Sequence, residues 1–288
     1  MDKLIIRPHL TSRVFNLTVN LIYTALPITA ERKKAIQCDS QQFYLKVTHV
    51  AQFLAQPEQN YIFIEKSNPE VTDASIQAWL YGTIYAYMLQ YHGYLVLHGS
   101  SILMNNRAVI ISGKSGAGKS TLASVLVQNG YSFITDDLVV IKRNDEGQYC
   151  IIPGPTKLKL WHDSMQFFKY NTEDATLISK NKEKYAIPVT DSCSYPLIPI
   201  SAFYELNINQ QANKHYCEQL HGARALKTLM QNAYRYFMLE PLGKLQNFFQ
   251  GCSGLSQQVS VNKLTRTDNF YDIFSMIEHI KCQQGISI

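Results

Sequence analysis

Near the start of the chain Phe15, Leu17, Val19 and Leu21 alternate with polar residues, and a period of two predicts a half-buried β-strand. Phe43-Tyr44-Leu45-Lys46-Val47 and Tyr61-Ile62-Phe63-Ile64 read the same way, so residues 1–67 are expected to form a small β-rich subdomain. The period then changes. Ile76, Trp79, Leu80, Thr83, Ile84, Tyr87, Met88 and Tyr91 fall at helical spacing behind a Thr72-Asp73 start, and Gly93 supplies the stop. An aromatic stripe of this kind is packing surface, expected to lie against the sheet that carries the next strand, Tyr94-Leu95-Val96-Leu97.

Short apolar runs and helical stretches alternate from there. Ala108-Val109-Ile110-Ile111-Ser112 predicts a buried strand, Ser120 to Asn129 a helix closed by Gly130, and Tyr131 to Thr135 another strand. Leu138–Ile141 and Tyr149–Ile152 flank the turn Asn144-Asp145-Glu146-Gly147 and predict a hairpin. Pro153-Gly154-Pro155 interrupts regular structure, and residues 171–191 are polar enough for a surface loop or a lid over a site. Further on, Ser201–Ile208 reads as a strand, Arg224–Tyr236 as a helix, and Asp268–Ile280 as a final helix with Phe270, Ile273, Phe274 and Ile277 on one face. The fold class is therefore α/β, with residues 68–288 as the main domain.

Composition narrows the function classes. A chain of 288 residues that is 46% hydrophobic can bury a substantial core. The net charge of +5 comes from dispersed Lys and Arg, with no stripe of the kind that binds nucleic acid. No apolar run approaches the ~18 residues a membrane span needs, and Asn16, Thr18 and Asn20 interrupt the segment that would have to serve as a secretory leader. Cys38, Cys150, Cys193, Cys217, Cys252 and Cys282 form no C-x-x-C pair, which argues against a zinc site or a disulfide framework and for reduced, mostly buried thiols. A cytoplasmic setting with access to ATP follows.

The chemistry concentrates between Leu97 and Asp137. Gly113-Lys114-Ser115-Gly116-Ala117-Gly118-Lys119-Ser120 fits the phosphate-loop pattern G-x-x-x-x-G-K-[ST], between a predicted strand and a predicted helix. Its glycines allow backbone N–H groups to turn inward around phosphate oxygens. Lys119 would carry charge to the β- and γ-phosphates of ATP, the Ser120 hydroxyl would reach a bridging Mg²⁺, and the helix that begins there points its positive end at the anion. After the next strand come Asp136 and Asp137. One carboxylate of such a pair can hold the metal while the other accepts the proton of an attacking hydroxyl; the competing reading is a turn into Leu138. His98 follows the strand 94–97, and Lys157 and Lys159 follow the Pro-Gly-Pro break, where with Thr156 they could neutralise transferring charge or form a solvated basic edge. Arg224, Arg235 and Arg266 are candidates for a transition-state contact, with nothing in the pattern to choose among them.

Taken together, Leu97-His98-Gly99, the loop beginning at Gly113 and the Asp136-Asp137 pair resemble the core of the HPr kinase/phosphorylase-like kinases. Pro153-Gly154-Pro155-Thr156-Lys157-Leu158-Lys159-Leu160-Trp161 is similar to the PG-P-x-x-x-LW segment of HPr-kinase-like proteins from peptide-modification gene clusters, and Lys184, Phe203-Tyr204-Glu205-Leu206 and Leu264-Thr265-Arg266 also look familiar. The resemblance implies a P-loop-containing, HPr-kinase-like (phosphoenolpyruvate-carboxykinase-like) mixed sheet with a small β-rich N-terminal subdomain. It implies a kinase that moves the γ-phosphoryl group of MgATP to a Ser/Thr hydroxyl of a protein or peptide. Residues 113–121, including Thr121, would bind the nucleotide, Ser120 and Asp136 the metal, and Lys119, His98 and Asp137 would serve catalysis; a homo-oligomer is allowed. Two other readings stand beside it: a small-molecule hydroxyl kinase, and an ATP-binding regulatory protein without phosphotransfer.

Overall fold

The computed structural model describes residues 10–26, 34–155, 157–161, 165–166, 175–179, 184–188, 195–212, 214–267, 269 and 271–286. The chain divides into two compact units, residues 1–94 with 235–248, and residues 95–234 with 249–288.

The first unit is built on a six-stranded sheet of β1 (Leu10–Val14), β2 (Leu17–Tyr23), β3 (Ile36–Cys38), β4 (Phe43–Val47), β5 (Ala51–Gln56) and β6 (Tyr61–Lys66), in the order β1-β2-β6-β5-β4-β3. The expected alternation holds in β2, where Leu17, Val19 and Leu21 are buried. Phe15 and Asn16 turn the β1–β2 hairpin at φ 53° and 59°, the doubly positive turn that suits the twist of paired strands. The helix after the sheet starts as predicted, with Thr72 Oγ1 accepting from Ser75 N at 3.3 Å. It is not uniform: α1 (Asp73–Trp79) and α2 (Tyr85–Tyr91) are joined by a π-helical turn, Leu80–Ile84, around Gly82. Its aromatic stripe finds its partners on the N-terminal sheet, a correction to the packing expected from sequence. Tyr87 stacks on Phe43 at 5.1 Å and donates to Asp39 O, while Tyr85 donates to Ser12 Oγ. The tyrosine hydroxyls explain the choice, since each needs a hydrogen-bond partner once its ring is buried.

The second unit carries a seven-stranded mixed sheet of β7 (Leu95–Met104), β8 (Arg107–Gly113), β9 (Phe133–Arg143), β10 (Tyr149–Ile152), β14 (Ile198–Ile208), β15 (Tyr216–Leu220) and β16 (Ser260–Arg266). Its order is β10-β9-β7-β8-β14-β16-β15, with β8, β14 and β16 mutually parallel. β10 also pairs with β14 through Cys150–Pro199 and Ile151–Ile198, so five strands curl back on themselves. A separate three-stranded sheet, β11 (Lys157–Trp161), β13 (Lys184–Pro188) and β12 (Thr176–Ser179), falls within or beside the polar stretch expected to be a loop; Lys180, Lys182 and Glu183 lie outside the described residues. On one face of the large sheet, α3 (Lys119–Gln128) and α6 (Asp272–Gln283) share a core with Val109, Ile111, Phe133, Leu158, Leu206 and Leu264. Burial of such side chains, at roughly 25 cal/mol per Å² of apolar surface, is the main force that holds α3 against the sheet.

Helix boundaries differ from expectation in three places. The helix predicted over 224–236 is α4 (Gly222–Gln231), stopped at Asn232; the last helix is α6; and α5 (Leu245–Gln258) has no counterpart in the sequence reading. Of the cysteines, Cys150 and Cys252 are buried, but Cys38 and Cys217 are half-buried and Cys282 is exposed, which corrects the expectation of mostly buried thiols. All five are unpaired. Among the described residues no helix is long and apolar enough to cross a membrane.

Candidate active site

Strand β8 delivers the chain into the glycine-rich loop at a point where only glycine fits. Gly113 sits at φ 132°, and a Cβ built there would lie 2.4 Å from Leu206 O on the neighbouring β14. Gly116 and Gly118 follow at φ 85° and 102°, and Gly118 precedes the first turn of α3 in the left-handed region. Lys114, Ser115 and Gly116 are exposed, while Ala117 and Thr121 are buried. Lys119 is 8% exposed, and its Nζ donates to Gly113 O at 2.9 Å and Lys114 O at 3.1 Å, so the amine folds back across the loop. From outside, Arg266 Nε donates to Ala117 O at 3.2 Å. Of the three arginines considered, this one fastens the loop. Arg224 is engaged with Glu218 at 2.6 and 2.9 Å, and Arg235 belongs to the other unit.

The acidic side is assembled by the β7–β9 ladder, which sets His98 opposite Leu138, Gly99 opposite Asp137 and Ser100 opposite Asp136. The Asp pair does not end a strand, as the sequence suggested, but lies in the middle of β9. Asp136 Oδ1 accepts from Ser100 Oγ at 2.5 Å, and its two oxygens lie 3.3 and 3.4 Å from Ser120 Oγ. Asp137 takes φ 76°, a conformation Asp tolerates better than most residues, and its Oδ1 reaches 3.4 Å from His98 Nδ1. Asp137 O is 3.1 Å from the same nitrogen. Both neighbours of Nδ1 are acceptors, so the proton of a neutral imidazole resides on Nδ1 and Nε2 keeps its lone pair. Burial pushes the His98 pKa below its ordinary value; Asp137 opposes that shift and Lys119 adds to it.

Beneath these groups runs a second set of polar contacts. The single Ser112 hydroxyl proton is shared between two acceptors within reach, His98 O and Asn232 Oδ1, and Asn232 Nδ2 donates to Glu205 Oε1 and Thr228 O, both at 2.8 Å. Glu205 stands opposite Ser112 in the parallel β8–β14 pairing, one residue before the Leu206 that abuts Gly113. Tyr234 lies beside His98, ring centroids 5.8 Å apart. Sequence reasoning assigned no role to Ser100, Ser112, Glu205, Asn232 or Tyr234. Glu205 alone carried a usable signal, as a carboxylate inside an otherwise apolar run. Lys157 is exposed on β11, whose Leu158 and Leu160 pack with α3, and Thr156 lies outside the described residues.

The oxygens of Ser120 and Asp136 converge, and hard oxygen donors of this kind suit Mg²⁺. Among the described residues no group of three or more His, Cys, Asp or Glu side chains gathers for a metal, so a cation here would draw its remaining ligands from water and bound phosphate. The cradle, the inward lysine and the helix start fit a nucleotide's phosphates.

The sequence family described as HPr Serine kinase C-terminal domain matches residues 90–159. That span takes in His98, the whole of 113–121 and both aspartates. Over that segment the chain is HPr kinase-like. The HPr kinase/phosphorylases of Chlorobium luteolum and Chlorobaculum tepidum are 42% identical to it over 57 residues and 43% over 53 residues; these segments are 20% and 18% of this chain and 17% and 16% of the relatives. The similarity thus spans only about a sixth of the curated relatives' length. Among solved structures, the Hpr(Ser) kinase/phosphatase from Coxiella burnetii aligns with 66% of this chain and 98% of that one, at a TM-score of 0.35 and 10% identity. The HPr kinase-like match stops short of Glu205, Asn232 and Arg266, so that part of the site rests on the geometry alone.

Proposed function

We propose that this HPr kinase-like chain transfers the γ-phosphoryl group of ATP to a Ser or Thr hydroxyl of a protein or peptide, in the cytoplasm where MgATP is available. The observation that carries the reading is the separation of the two aspartates: Asp136 is bound to Ser100 and faces Ser120, whereas Asp137 faces His98. Two adjacent carboxylates in different surroundings are suited to different tasks.

The loop amides and Lys119 hold and orient the phosphates, and Lys119 exchanges its two loop carbonyls for phosphate oxygens. Ser120 and Asp136 would hold Mg²⁺, which when bound offsets the charge of the phosphate tail. Asp137 accepts the proton of the acceptor hydroxyl as its oxygen forms the new bond to phosphorus and the bond to the departing ADP breaks. His98, neutral near pH 7, points Nδ1–H at Asp137 and fixes the carboxylate's direction. The experiment is incubation with γ-labelled ATP, Mg²⁺ and candidate peptides, comparing the unaltered chain with Asp137→Asn. Label should enter Ser or Thr, and Asp137→Asn should abolish transfer while ATP affinity stays within about tenfold. Label confined to a low-mass product would make the acceptor a small molecule, and undiminished turnover in the variant would remove Asp137 from the reaction.

A further inference from the structure

At the end of the large sheet remote from the phosphate loop there is a second cleft, of about 460 Å³, lined by Arg107, Ser201, Gln219, Ser260, Gln283 and Gln284. Arg107 begins β8 where Gly113 ends it, Ser260 begins β16 where Arg266 ends it, and Gln283 closes α6. At about 3.3 Å per strand residue, the cleft and the loop are roughly 20 Å apart.

Its lining residues are polar, and the charged one among them is a cation. Gln284 Oε1 accepts from Ser201 Oγ and Gln283 Oε1 accepts from Tyr204 OH, both at 2.6 Å. Both amide oxygens are thereby occupied, and each glutamine has its NH₂ group left to offer. Arg107 gives one N–H to Ile200 O at 3.0 Å and keeps the rest of its donors. Among the described residues no Asp or Glu lines the cleft. Two carbonyls at the end of α6, which would repel an anion, are already capped: Gly285 N donates to Cys282 O, and Ile286 N and Gln284 N donate to Lys281 O. A recess with several donors, one fixed cation and the amide oxygens of Gln283 and Gln284 already engaged matches an oxyanion.

We propose that this cleft is a binding site, separate from the phosphate loop, for a small oxyanion-bearing metabolite, a phosphate ester or a carboxylate. The site does not depend on phosphotransfer. Because the loop itself binds phosphate, the test uses Lys119→Ala as background. In that background inorganic phosphate, glycerol 3-phosphate and lactate are titrated by calorimetry, and Arg107→Gln and Gln283→Glu are added singly. Gln283→Glu keeps an acceptor for Tyr204 but turns the donor into an anion, so the two variants fail for different reasons if they fail at all. Oxyanion binding should persist in Lys119→Ala and weaken about tenfold or more with either addition, the loss expected for one charge-assisted hydrogen bond or one repulsive contact. In the unaltered background Arg107→Gln should leave MgATP affinity unchanged. Binding of the phosphates alone or of lactate alone names the ligand's acidic group. No binding tighter than about 10 mM in Lys119→Ala, or binding indifferent to both Arg107→Gln and Gln283→Glu, would overturn the proposal.

Discussion

Asn232 stops α4 and is 7% exposed, yet it touches three strands of the candidate site. Its side chain accepts from Ser112 at 2.7 Å and donates to Glu205 and to Thr228 O at 2.8 Å, and its main-chain carbonyl accepts from His98 N. Asn232→Ala removes one hydrogen bond to a carboxylate and two to neutral groups. With Ser112 still able to donate to His98 O, the net cost is about 3 kcal/mol. Asn232→Asp keeps the acceptor for Ser112 but sets a second carboxylate 2.8 Å from Glu205 Oε1. Both cannot stay ionised at that distance, and the pH-dependent part of the cost is bounded by that of keeping one proton on the pair; the lost bond to Thr228 O adds a part that does not change with pH. From an ordinary Glu pKa near 4.3, that bound is roughly 4 kcal/mol at pH 7. The folded pKa of the pair is raised above the unfolded one, so the folded state binds the extra proton and the penalty shrinks as pH falls towards about 4. At pH 5 the pH-dependent part should be about 1 kcal/mol, whereas the Asn232→Ala cost should not move. Urea unfolding at pH 5, 6 and 7 reads both, provided the slope with denaturant is unchanged. A pH-independent Asn232→Asp penalty, or costs under about 1 kcal/mol for both variants, would show that Asn232 does not bridge Glu205 and Ser112.

Gly113→Ala should cost about 3 kcal/mol or more and abolish MgATP binding, because its Cβ meets Leu206 O; Gly116→Ala, with open space around the same atom, should cost only the ~1 kcal/mol of a left-handed backbone. Thermal unfolding with MgATP titration separates the two, and equal effects would deny that the β14 backbone limits the loop. His98 should titrate below 6.5 in a proton NMR titration, and lower still in Asp137→Asn, since the carboxylate that supports its charged form is gone. Unfolded His98 takes up its proton at about 6.5, above the folded value, so stability should fall as pH drops through that window, and His98→Gln should flatten that part of the profile.

Local pattern carried much of the fold. The β-branched run at 108–112, the turn at 144–147 and the glycines after two helices are as expected, with Gly93 at φ 83° and Gly130 at φ 87°. Helix α5 escaped because Leu245–Gln258 contains Gly251 and Gly254 and has no acidic residue in its first turn, so neither propensity nor a start signal marks it. β15 is short and mixed in burial, and β16 has Asn262 and Thr265 among its buried residues, so their alternation is blurred. The return of β10 to β14 lies beyond any local pattern, since it is fixed by how far five strands curl.

The site was legible where its chemistry is contiguous and hidden where tertiary pairing makes it. Residues 113–121 and the pair 136–137 announce themselves by type and spacing, but Glu205 and Asn232 meet Ser112 only because β14 runs parallel beside β8 and α4 ends at Asn232. The Asp pair is the instructive case. Consecutive residues on a regular strand face opposite sides of the sheet, so on pleat geometry alone β9 could present only one carboxylate to the site. The backbone of Asp137 departs from that geometry at φ 76°, and its carboxylate reaches His98, which lies two residues along β7 from the Ser100 that holds Asp136. The sequence reading of the pair depended on a strand end that is absent; what brings both acids to one side is a single positive φ within a continuous strand. Residue type permits that kink without announcing it, since Asp is among the few side chains that enter the left-handed region at modest cost.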